Sequence, residues 1–371
     1  MIPQKYPVHQ NGEGHDMNKS SMAKEGTQLF VSIAINNYNY SQFLRECIDS
    51  ALKQTYQQGE VIVVDDGSTD DSISIIESYG NRIISVLKEN GGQGSAYNEG
   101  YAKAQGDIII FLDSDDVLFP DTVTKVVEAW LPDTAKVHFR LAMINDEGQE
   151  IGGLMSNFLH SGDVRKIIEK FGCYGSPPGS GNAFSKSALE KCFPMPEPEW
   201  RIAADTYPIM LAPFFGQVVT LNGIAGLYRI HKKQNHKSKF VLNNNPSDPG
   251  VSVFRSYRSR QLIFKALVHF GLTETQGFKF EAPANIKMRL ISFRVSPLTH
   301  PVENETSLKI LHDGFMAVLN WTDFPLKNRF LYMLWIIGVL FLPQSLAEEI
   351  ILWAINSEYR PRWFKNIILT L

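Results

Sequence analysis

Four short apolar runs in the first third of the chain constrain its fold more than any other feature. They lie at residues 29–35, 61–64, 82–87 and 108–112 and are rich in β-branched residues. Segments with apolar residues at helical spacing follow at 40–54, 73–79 and 95–104, and Pro120 stands where a further helix is expected to begin. Apolar strands that alternate with helices indicate a mostly parallel sheet covered on both faces. We therefore predict an α/β fold with a mostly parallel sheet flanked by helices.

The rest of the chain has a different character at each end. Residues 1–28 are polar and without periodicity, which predicts a disordered tail. The α/β pattern predicts a domain over 29–242, and the Asn/Pro-rich stretch 243–250 predicts a linker. Residues 251–371 are predicted to form a helical region, with helices near 251–270, 284–293 and 307–319 and an apolar hairpin over 330–355 that turns at Pro343.

Composition excludes several classes of protein. The net charge of -3 gives no overall attraction to nucleic acid, so we expect no nucleic-acid partner. Cys47, Cys173 and Cys192 are too few and too irregularly spaced for a disulfide framework or a zinc site. No apolar stretch typical of a signal peptide stands at the N-terminus. We expect free thiols and a cytoplasmic protein.

Polar clusters follow three of the apolar runs, at 36–39, 65–69 and 113–116. Ligands of such sheets bind beyond the carboxyl ends of the strands. In the third cluster, Asp113 and Asp115 flank Ser114, and two carboxylates at this spacing can share a hard cation and a ribose hydroxyl. Mg²⁺ or Mn²⁺ would offset the charge of a departing diphosphate. For this motif alone, a solvated acidic turn is the alternative.

The other clusters indicate a nucleotide. Asp66 follows a buried strand and can accept a hydrogen bond from the imide N–H of a base, whereas Ser68 and Thr69 are expected to cap the next helix. The glycine segment 90–94 leads into a helix whose N-terminus favours phosphate, with an ordinary glycine turn as the alternative. Tyr97 stands where a dinucleotide-binding fingerprint needs its third glycine, which disfavours a dehydrogenase.

Four segments in this order resemble family 2 glycosyltransferases of the GT-A fold, which has a Rossmann-like sheet. They are VSIAINNYN at 31–39, VDDGSTD at 64–70, NGG at 90–92 and FLDSDD at 111–116. The resemblance covers roughly residues 29–231. It implies a donor site for a nucleotide sugar, for which we expect UDP, with a divalent cation. Its donor-binding residues would be Asn36, Tyr38, Asp66, Gly92, Asn98, Asp113 and Ser114.

Within that resemblance, residues receive separate roles. Asn36, Tyr38 and Asp66 would frame the base, Asp113 would face the ribose, and Asp115 would ligate the metal. The segment GLYRIH at 226–231 resembles a family motif whose histidine, His231, would also ligate the metal or touch the diphosphate, with Arg229 and Lys232 adding positive charge. A packed or solvated histidine is the alternative.

Two more segments concern the acceptor. PPGSGNAF at 177–184 resembles a stretch near the acceptor in one branch of the family, which implies that Ser180, Gly181 and Asn182 lie beside it. Asp205 stands where the family carries its catalytic base, although Ala204 replaces the usual Glu. A carboxylate suits that role because it can take the proton of an attacking hydroxyl. A Pro/Gly loop and a helix-capping aspartate are the respective alternatives.

The sequence therefore predicts an inverting glycosyltransferase, of hexosyltransferase type, that acts on a sugar or lipid-linked acceptor in polysaccharide or glycolipid synthesis. No second carboxylate is placed as a covalent nucleophile, which favours inversion. A nucleotidyltransferase is one alternative, but residues 36–39 lack the basic glycine-rich loop that it needs. A non-catalytic scaffold that binds sugar or nucleotide is another.

The apolar run 330–342 is too short to span a bilayer, which needs about 20 residues. Aromatic and basic residues surround it, among them Trp335, Trp353, Tyr359, Arg360, Arg362, Trp363 and Lys365. Such residues are typical of an interfacial segment. We predict peripheral contact with the cytoplasmic face of a membrane through 330–365. The alternative is a helix buried on the catalytic domain or on a second subunit, so that an oligomer is possible.

Overall fold

A computed structural model describes residues 28–156, 158–231, 248–321, 325–355 and 360–361. The predicted tail therefore lies outside the described residues except for residue 28. Of the predicted linker 243–250, only the last three residues are described. Lys232, Tyr359, Arg362, Trp363 and Lys365 also lie outside them.

Nine strands of the described part form one sheet, with the order β3-β2-β1-β4-β8-β6-β9-β5 and with β7 paired to β6. The strands are β1 Val31–Asn37, β2 Gly59–Asp65, β3 Ile84–Leu87, β4 Ile108–Asp113, β5 Val117–Leu118, β6 Thr134–Ile144, β7 Glu150–Met155, β8 Asn182–Ser185 and β9 Gln217–Arg229. The first four strands are mutually parallel. Strand β8 then pairs antiparallel with both β4 and β6. The four predicted apolar runs thus form the parallel half of the sheet.

The central strands are apolar on both faces because helices cover both. Alternate residues of β1 enter different cores: Ala34 packs with Phe111 on one face, and Ile33 and Ile35 pack with Ile110 on the other. This two-sided burial explains why the strands read as unbroken apolar runs rather than as an alternating pattern.

The helices around the sheet start and end close to the predicted positions. They are α1 Ser41–Leu52, α2 Ser72–Glu77, α3 Gln93–Lys103, α4 Thr122–Glu128, α5 Arg165–Phe171, α6 Lys186–Leu189 and α7 Thr206–Leu211. Two local predictions were wrong. Pro120 precedes α4 instead of lying in its first turn, because β5 occupies the connection. Ser68 and Thr69 do not cap α2, since that helix begins at Ser72, whose N–H donates to Asp70.

The C-terminal region is helical, as predicted. Its helices are α8 Pro249–His269, α9 Pro283–Val295, α10 Ser307–Asn320, α11 Leu326–Phe341 and α12 Gln344–Ile355. The side chains of Asp248 and Thr306 accept N–H bonds at the starts of α8 and α10, which satisfies otherwise unpaired donors. The helices share an apolar core of their own, distinct from the two cores of the sheet.

A buried arginine ties this helical region together. Arg289 of α9 is 2% exposed and forms ion pairs with Glu281, Glu305 and Asp313. Burying a guanidinium group is costly unless carboxylates surround it, and here three do. The network fixes α9 against α10 and against the segment that precedes α9.

Helix α11 has one buried and one exposed apolar face. Its buried face includes Trp335, whose ring N–H donates to Ile350 O in α12 (3.1 Å). The exposed large side chains of the opposite face follow helical spacing: Phe330, Leu334, Ile337 and Phe341. Trp335 is therefore a packing residue, and its predicted role in an interface was wrong. Among the described residues, no helix is both long and apolar enough to cross a membrane.

Candidate active site

The polar residues at the strand ends converge, as the parallel sheet requires. Asn36 of β1 is the register partner of Asp113 of β4, and Asn37 is the partner of Asp65 of β2. Asn36 is 8% exposed, and neither atom of its amide has a hydrogen-bond partner among the described residues. An unpaired buried amide is costly, so this side chain is available to a ligand at the edge of the sheet.

Tyr38 differs from Asn36 in its exposure. Its side chain is 48% exposed just beyond the end of β1. An exposed ring at a ligand-binding edge can stack on a planar group without any rearrangement of the core. This position is compatible with the predicted contact to a base.

The adjacent carboxylates of Asp65 and Asp66 hold two different segments of the protein. Asp65 accepts bonds from Ser68 N and Oγ and from Asn37 Nδ2, so it holds the turn after β2. Asp66 is 3% exposed and accepts from Lys88 Nζ (2.8 Å), from Gly91 N (2.9 Å) and from Gly92 N (2.7 Å). Asp66 therefore fixes the glycine segment beside the strand ends.

The N-terminus of α3 is already occupied by the protein's own backbone. Gly92 has a φ of 91°, and a Cβ there would lie 2.3 Å from Arg201 Cγ. The next two N–H groups, of Gln93 and Gly94, donate to Arg201 O and Trp200 O at 3.0 and 2.9 Å. These donors cannot also bind a phosphate, so the predicted phosphate site at these groups was wrong. The glycine segment forms the ordinary turn that was given as the alternative.

Asn98 of α3 belongs to the same packing arrangement. Its Nδ2 donates to Met195 O and Glu197 Oε1, and its Oδ1 accepts from Met195 N. The side chain thus anchors the segment that leads toward Trp200. These contacts give Asn98 a structural role, and we propose no contact between Asn98 and the donor.

Asp113 ends β4 in a position set by several elements. Its N–H donates to Ser180 Oγ (3.1 Å), and its carbonyl accepts from Cys47 Sγ (3.5 Å). Burial raises the pKa of the Asp113 carboxyl well above its usual range, and the charges of Asp115 and Asp205 raise it further, whereas a hydrogen bond from the Gln93 side chain opposes the shift. Ser114, the next residue, is 4% exposed.

His231 lies between two carboxylates from distant parts of the chain. Its Nε2 is 2.7 Å from Asp115 Oδ2, and its Nδ1 is 2.6 Å from Asp146 Oδ1. The rings of Tyr40 and Phe43 flank it, with centroids at 5.5 and 5.2 Å. The hydrogen bond to Asp115 is the main cause of the raised pKa of His231. The structure thus joins the two residues predicted to ligate the metal.

Arg229 connects the segments that form the corner around Asp115 and His231. Its guanidinium is 1% exposed and donates to Glu46 Oε2 (2.6 Å), to Asp115 O and to two carbonyls of the 145–146 turn. Its N–H donates to Asp116 Oδ1 (2.9 Å). Arg229 was predicted to add positive charge near the diphosphate, and that effect of its charge stays a prediction. Its guanidinium N–H groups bind acceptors of the protein itself. Asp116, buried beneath the same corner, joins the ends of β4 and β9.

Asp205 meets Asp113 at Gly179. Asp205 Oδ2 accepts from Gly179 N (3.1 Å), and a Cβ at Gly179 would lie 3.2 Å from Asp205 Cβ and 3.7 Å from Asp113 Oδ2. The same point is 2.8 Å from the hydroxyl of Tyr97, which is buried without a hydrogen-bond partner in the described part of the chain. Asp205 precedes α7, but its side chain makes no capping bond to that helix. Burial raises the pKa of the Asp205 carboxyl.

The loop before β8 is buried, in contrast to the surface expected for an acceptor. Ser180, Gly181 and Asn182 are buried, and Ser180 and Asn182 are fully inaccessible. Asn182 Nδ2 donates to three carbonyls of residues 177–179, and its Oδ1 accepts from Lys136 Nζ (2.7 Å). The three residues therefore stabilise the loop that carries Gly179. We propose no contact between them and the acceptor.

Negative charge is concentrated at this edge of the sheet. The pKa of Tyr40 is raised to about 12 by burial and then by Asp115, Asp113, Asp116 and Asp146, in that order. Because the electrostatic effect of a charge falls with distance, these four carboxyl groups lie near the Tyr40 hydroxyl. Such a site attracts a cation, and Asp115 and His231, at 20% and 25% side-chain exposure, are open to one.

Sequence reasoning did not find several residues of this site. Asp146 lies in a turn between β6 and β7 that has no motif of its own, and Gln93 binds both Asp113 and the N–H of Ala204. Tyr97 entered the sequence argument only as a residue that disfavours a dinucleotide-binding fingerprint. Composition at these positions carries no signal, because their importance arises from contacts with residues far away in the chain.

Comparisons with known proteins show the family to which the chain belongs. The family described as "Glycosyl transferase family 2" matches residues 32–193. An uncharacterized glycosyltransferase of Nostoc sp. (strain PCC 7120) is 36% identical over 243 residues, which are 63% of this chain and 76% of that protein. This chain belongs to glycosyltransferase family 2. It is therefore a sugar-transferring enzyme, and the alternative of a nucleotidyltransferase was wrong.

Two further similarities bear on the fold and on the relatives of this family 2 enzyme. Residues 1–349 of TarS from S. aureus, in complex with UDP, superpose with a TM-score of 0.50 at 18% identity and cover 90% of this chain and 91% of theirs. At that identity the likeness concerns the fold, and it confirms the predicted GT-A type. A chondroitin synthase of Pasteurella multocida is 40% identical over 126 residues, or 33% of this chain and 13% of the synthase. The chain thus spans only a small part of that relative.

Proposed function

We propose that this family 2 glycosyltransferase transfers a sugar from a nucleoside diphosphate to a hydroxyl acceptor with inversion at the anomeric carbon. The observation that carries the proposal is the meeting of Asp205 and Asp113 at Gly179. The carboxylate of Asp205, which accepts from Gly179 N, lies there beside the strand ends where the nucleotide is expected. Asn36, Tyr38, Asp66 and the Asp113-Ser114 pair would form the donor side.

In the proposed reaction, Asp205 accepts the proton of the acceptor hydroxyl as its oxygen attacks the anomeric carbon. The new bond forms between that oxygen and the anomeric carbon, while the bond from the anomeric carbon to the diphosphate oxygen breaks. Attack from the face opposite the diphosphate inverts the configuration. The raised pKa of Asp205 suits a base, because a more basic carboxylate takes a proton more readily.

The residues present fit a divalent cation, Mg²⁺ or Mn²⁺, shared with the substrate. Among the described residues, no group of three or more His, Cys, Asp or Glu side chains could hold a metal alone. Asp115 and His231 offer one oxygen and one nitrogen, and Asp146 orients the ring of His231 from its other nitrogen. Mg²⁺ commonly takes only one or two protein ligands and completes its shell with phosphate and water. When bound, the cation would neutralise charge on the diphosphate.

We expect UDP as the nucleotide and a sugar or lipid-linked acceptor in polysaccharide or glycolipid synthesis. The structures of TarS contain UDP and UDP-GlcNAc. The relative in Pasteurella multocida is named for the synthesis of a polysaccharide. A screen of UDP-, GDP- and dTDP-sugars with Mn²⁺ or Mg²⁺ would identify the donor. If the enzyme hydrolyses none of these sugars, the proposal is contradicted.

The decisive test of the mechanism is Asp205→Asn, which keeps the shape of the side chain and removes its basicity. We expect turnover to fall by about 10²-fold or more, while the affinity for the donor stays within a few-fold. Asp121→Asn, an exposed position, is the matched control. Unchanged turnover in Asp205→Asn, or retention of the anomeric configuration in the NMR spectrum of the product, would refute the mechanism.

The membrane contact is also a proposal. The exposed stripe of α11, defined as Phe330, Leu334, Ile337 and Phe341, offers a continuous apolar face, with Lys327 exposed at its start. An apolar helix face of this kind suits the interface of a bilayer, here the cytoplasmic one, whose anionic lipids would attract Lys327. A lipid-linked acceptor would meet the enzyme there.

A further inference from the structure

A second cavity lies in the helical region, away from the carboxylates of the strand ends. Its volume is about 540 Å³, within the range of roughly 300–1,000 Å³ found for small-molecule sites. Helix α8, the segment 277–281 and helix α10 form its walls. None of the proposed donor or catalytic residues lines it.

Aromatic rings form one wall of this cavity. Phe264 of α8 meets Phe278 edge to face, with ring centroids 5.5 Å apart. The guanidinium of Arg260 lies over the ring of Phe278 at 5.3 Å. Both phenylalanine side chains are only partly buried, so their rings remain accessible from the cavity. Partly exposed rings in a concave wall can pack on the apolar face of a sugar.

Two buried polar atoms of the lining residues lack partners. Within the described part of the chain, neither Arg260 Nε nor Glu281 Oε2 has a hydrogen-bond partner. The first is a donor and the second an acceptor. Unpaired buried groups of this kind are costly in a folded protein and call for a ligand or water. A ligand that satisfies both must donate and accept hydrogen bonds, which a hydroxyl group does.

The charges around the cavity balance. Glu281 Oε1 accepts from Tyr257 Oη and from Arg289 (both 2.8 Å), and Arg289 also pairs with Asp313. Arg260 and Lys279 on the lining offset Glu281 and Asp313, so the net charge of the lining favours neither an anion nor a cation. The polar atoms disfavour an acyl chain. The chemistry favours a neutral ligand with many hydroxyl groups.

Hydrogen bonds and packing contacts join the walls of this cavity to the domain that contains the sheet. Phe280 N donates to Lys170 O at the end of α5 (3.0 Å), and a Cβ at Gly172 would lie 2.7 Å from the ring of Phe278. Helix α8 also contacts the segment before Asp205, through Arg258 and the Glu199 carbonyl (3.2 Å). A ligand held here is therefore fixed relative to the proposed active site.

We propose that this cavity is a carbohydrate subsite that holds sugar units of the acceptor glycan at a distance from the reacting hydroxyl. The assignment of its ligand to the acceptor rests on the proposed function. The subsite would retain a growing glycan between transfers, so that longer acceptors bind more tightly than short ones.

The test uses the full chain on an array of immobilised oligosaccharides with neutral, amino-sugar and uronic-acid units. Phe264→Leu removes the ring but keeps an apolar side chain, and we expect it to weaken glycan binding about tenfold. Phe254→Leu is the matched control, because Phe254 lies on the same helix, is 58% exposed and does not line the cavity. We expect this control to bind as the wild type does.

Three results would overturn the proposal: no binding of the wild type to any oligosaccharide, equal binding by Phe264→Leu, or equal loss in both variants. Thermal unfolding of each variant shows whether the fold is intact, and Arg260→Met provides a second variant if Phe264→Leu is unstable. Donor hydrolysis by the wild type is measured separately. Hydrolysis without glycan binding would refute the subsite and leave the proposed function intact. Glycan binding without hydrolysis of any donor would refute the proposed function, and with it the assignment of the ligand to an acceptor, but would leave a carbohydrate site in this cavity.

Discussion

At the scale of single residues, Asp205 combines burial with the charge that a base needs. Burial raises the pKa of its carboxyl, and the N–H of Gly179 limits the rise by stabilising the ionised form. Because only the ionised carboxylate accepts a proton, activity is lost as the pH falls through this raised pKa. The acid limb of activity is therefore expected above the usual carboxyl range of about 4.

Initial rates across the acidic range check this prediction, with donor affinity measured at each pH as the control. Donor binding that persists where turnover has fallen would assign the loss to the base. An acid limb at or below the usual carboxyl range would contradict the expected direction of the shift.

Gly179 is the second residue on which the site depends. A methyl group there would lie 2.8 Å from the hydroxyl of Tyr97 and 3.2 Å from Asp205 Cβ, so either side chain must move. Displacement of a catalytic group by about 1 Å can cost about 10²-fold in rate, and we expect a loss of that order in kcat for Gly179→Ala. Tyr97→Phe removes the nearest atom, so the double variant is expected to recover part of the loss.

The measurement is kcat for the two single variants and the double variant, arranged as a double-mutant cycle. Tyr97→Phe alone serves as the control and is expected to retain most activity. Additive losses without recovery would show that the Tyr97 hydroxyl is not what the new methyl group meets.

At the scale of elements, Lys136 of β6 connects the sheet to the loop that carries Gly179. Its Nζ donates to Ser176 Oγ and Asn182 Oδ1, both at 2.7 Å, and burial lowers the pKa of this lysine well below its usual value. The unfolded chain therefore binds a proton that the folded chain does not hold. The free energy of unfolding should rise as the pH increases from the lowered pKa toward about 10.4 and level off above it.

Lys136→Met is predicted to abolish that rise, because it removes the titrating group. It should also loosen the loop, at a cost of about 1–3 kcal/mol for the broken buried hydrogen bonds at high pH. Denaturant unfolding at a series of alkaline pH values measures both effects. Lys53→Met, at the exposed position that follows α1, should keep the slope of the wild type. An unchanged slope in Lys136→Met would contradict the prediction.

The corner at the ends of β4 and β9 contains both buried structural residues and accessible residues of the candidate site. Arg229 and Asp116 lie in the interior of this corner, whereas Asp115 and His231 face outward from neighbouring positions in the chain. Asp115 and Asp116 lie in the turn between β4 and β5, and His231 lies two residues beyond Arg229, the last residue of β9. This corner thus uses Arg229 and Asp116 for its internal contacts and leaves Asp115 and His231 accessible.

At the scale of the whole molecule, the exposed stripe of α11 is the surface for which a membrane contact is proposed. If it lies on a membrane, Leu334→Glu with Ile337→Glu places two charges in the contact and should weaken sedimentation with anionic vesicles by tenfold or more, given about 1.5–3 kcal/mol for each large apolar side chain buried. Leu131→Glu with Val268→Glu, at positions 54% and 52% exposed, is the matched control.

Vesicle sedimentation and the oligomeric state of both double variants are measured together. Equal sedimentation of the stripe variant and the wild type would refute the membrane proposal. A wild-type dimer that becomes a monomer in the stripe variant, without any vesicle binding, would instead identify the stripe as a subunit interface.

The sequence by itself determined the elements of the catalytic domain and the edge at which its site lies. Apolar runs specify strands because a strand buried on both faces tolerates few polar residues, and parallel strands bring their carboxyl ends together. Asp113 and Asp115 could be chosen for that reason, because they directly follow a recognisable strand. Asp205 and His231 could be chosen only from the family resemblance.

Only the tertiary structure decided how each polar group is used. Arg229, Asn98 and Asn182 have the residue types of ligand-binding groups, yet the protein's own carbonyls and carboxylates occupy them. Conversely, Asp146 and Tyr97 gain importance from contacts with residues far along the chain. A hydrogen bond depends on a few ångströms of separation and on competition among many possible partners, and neither quantity is written in the local sequence.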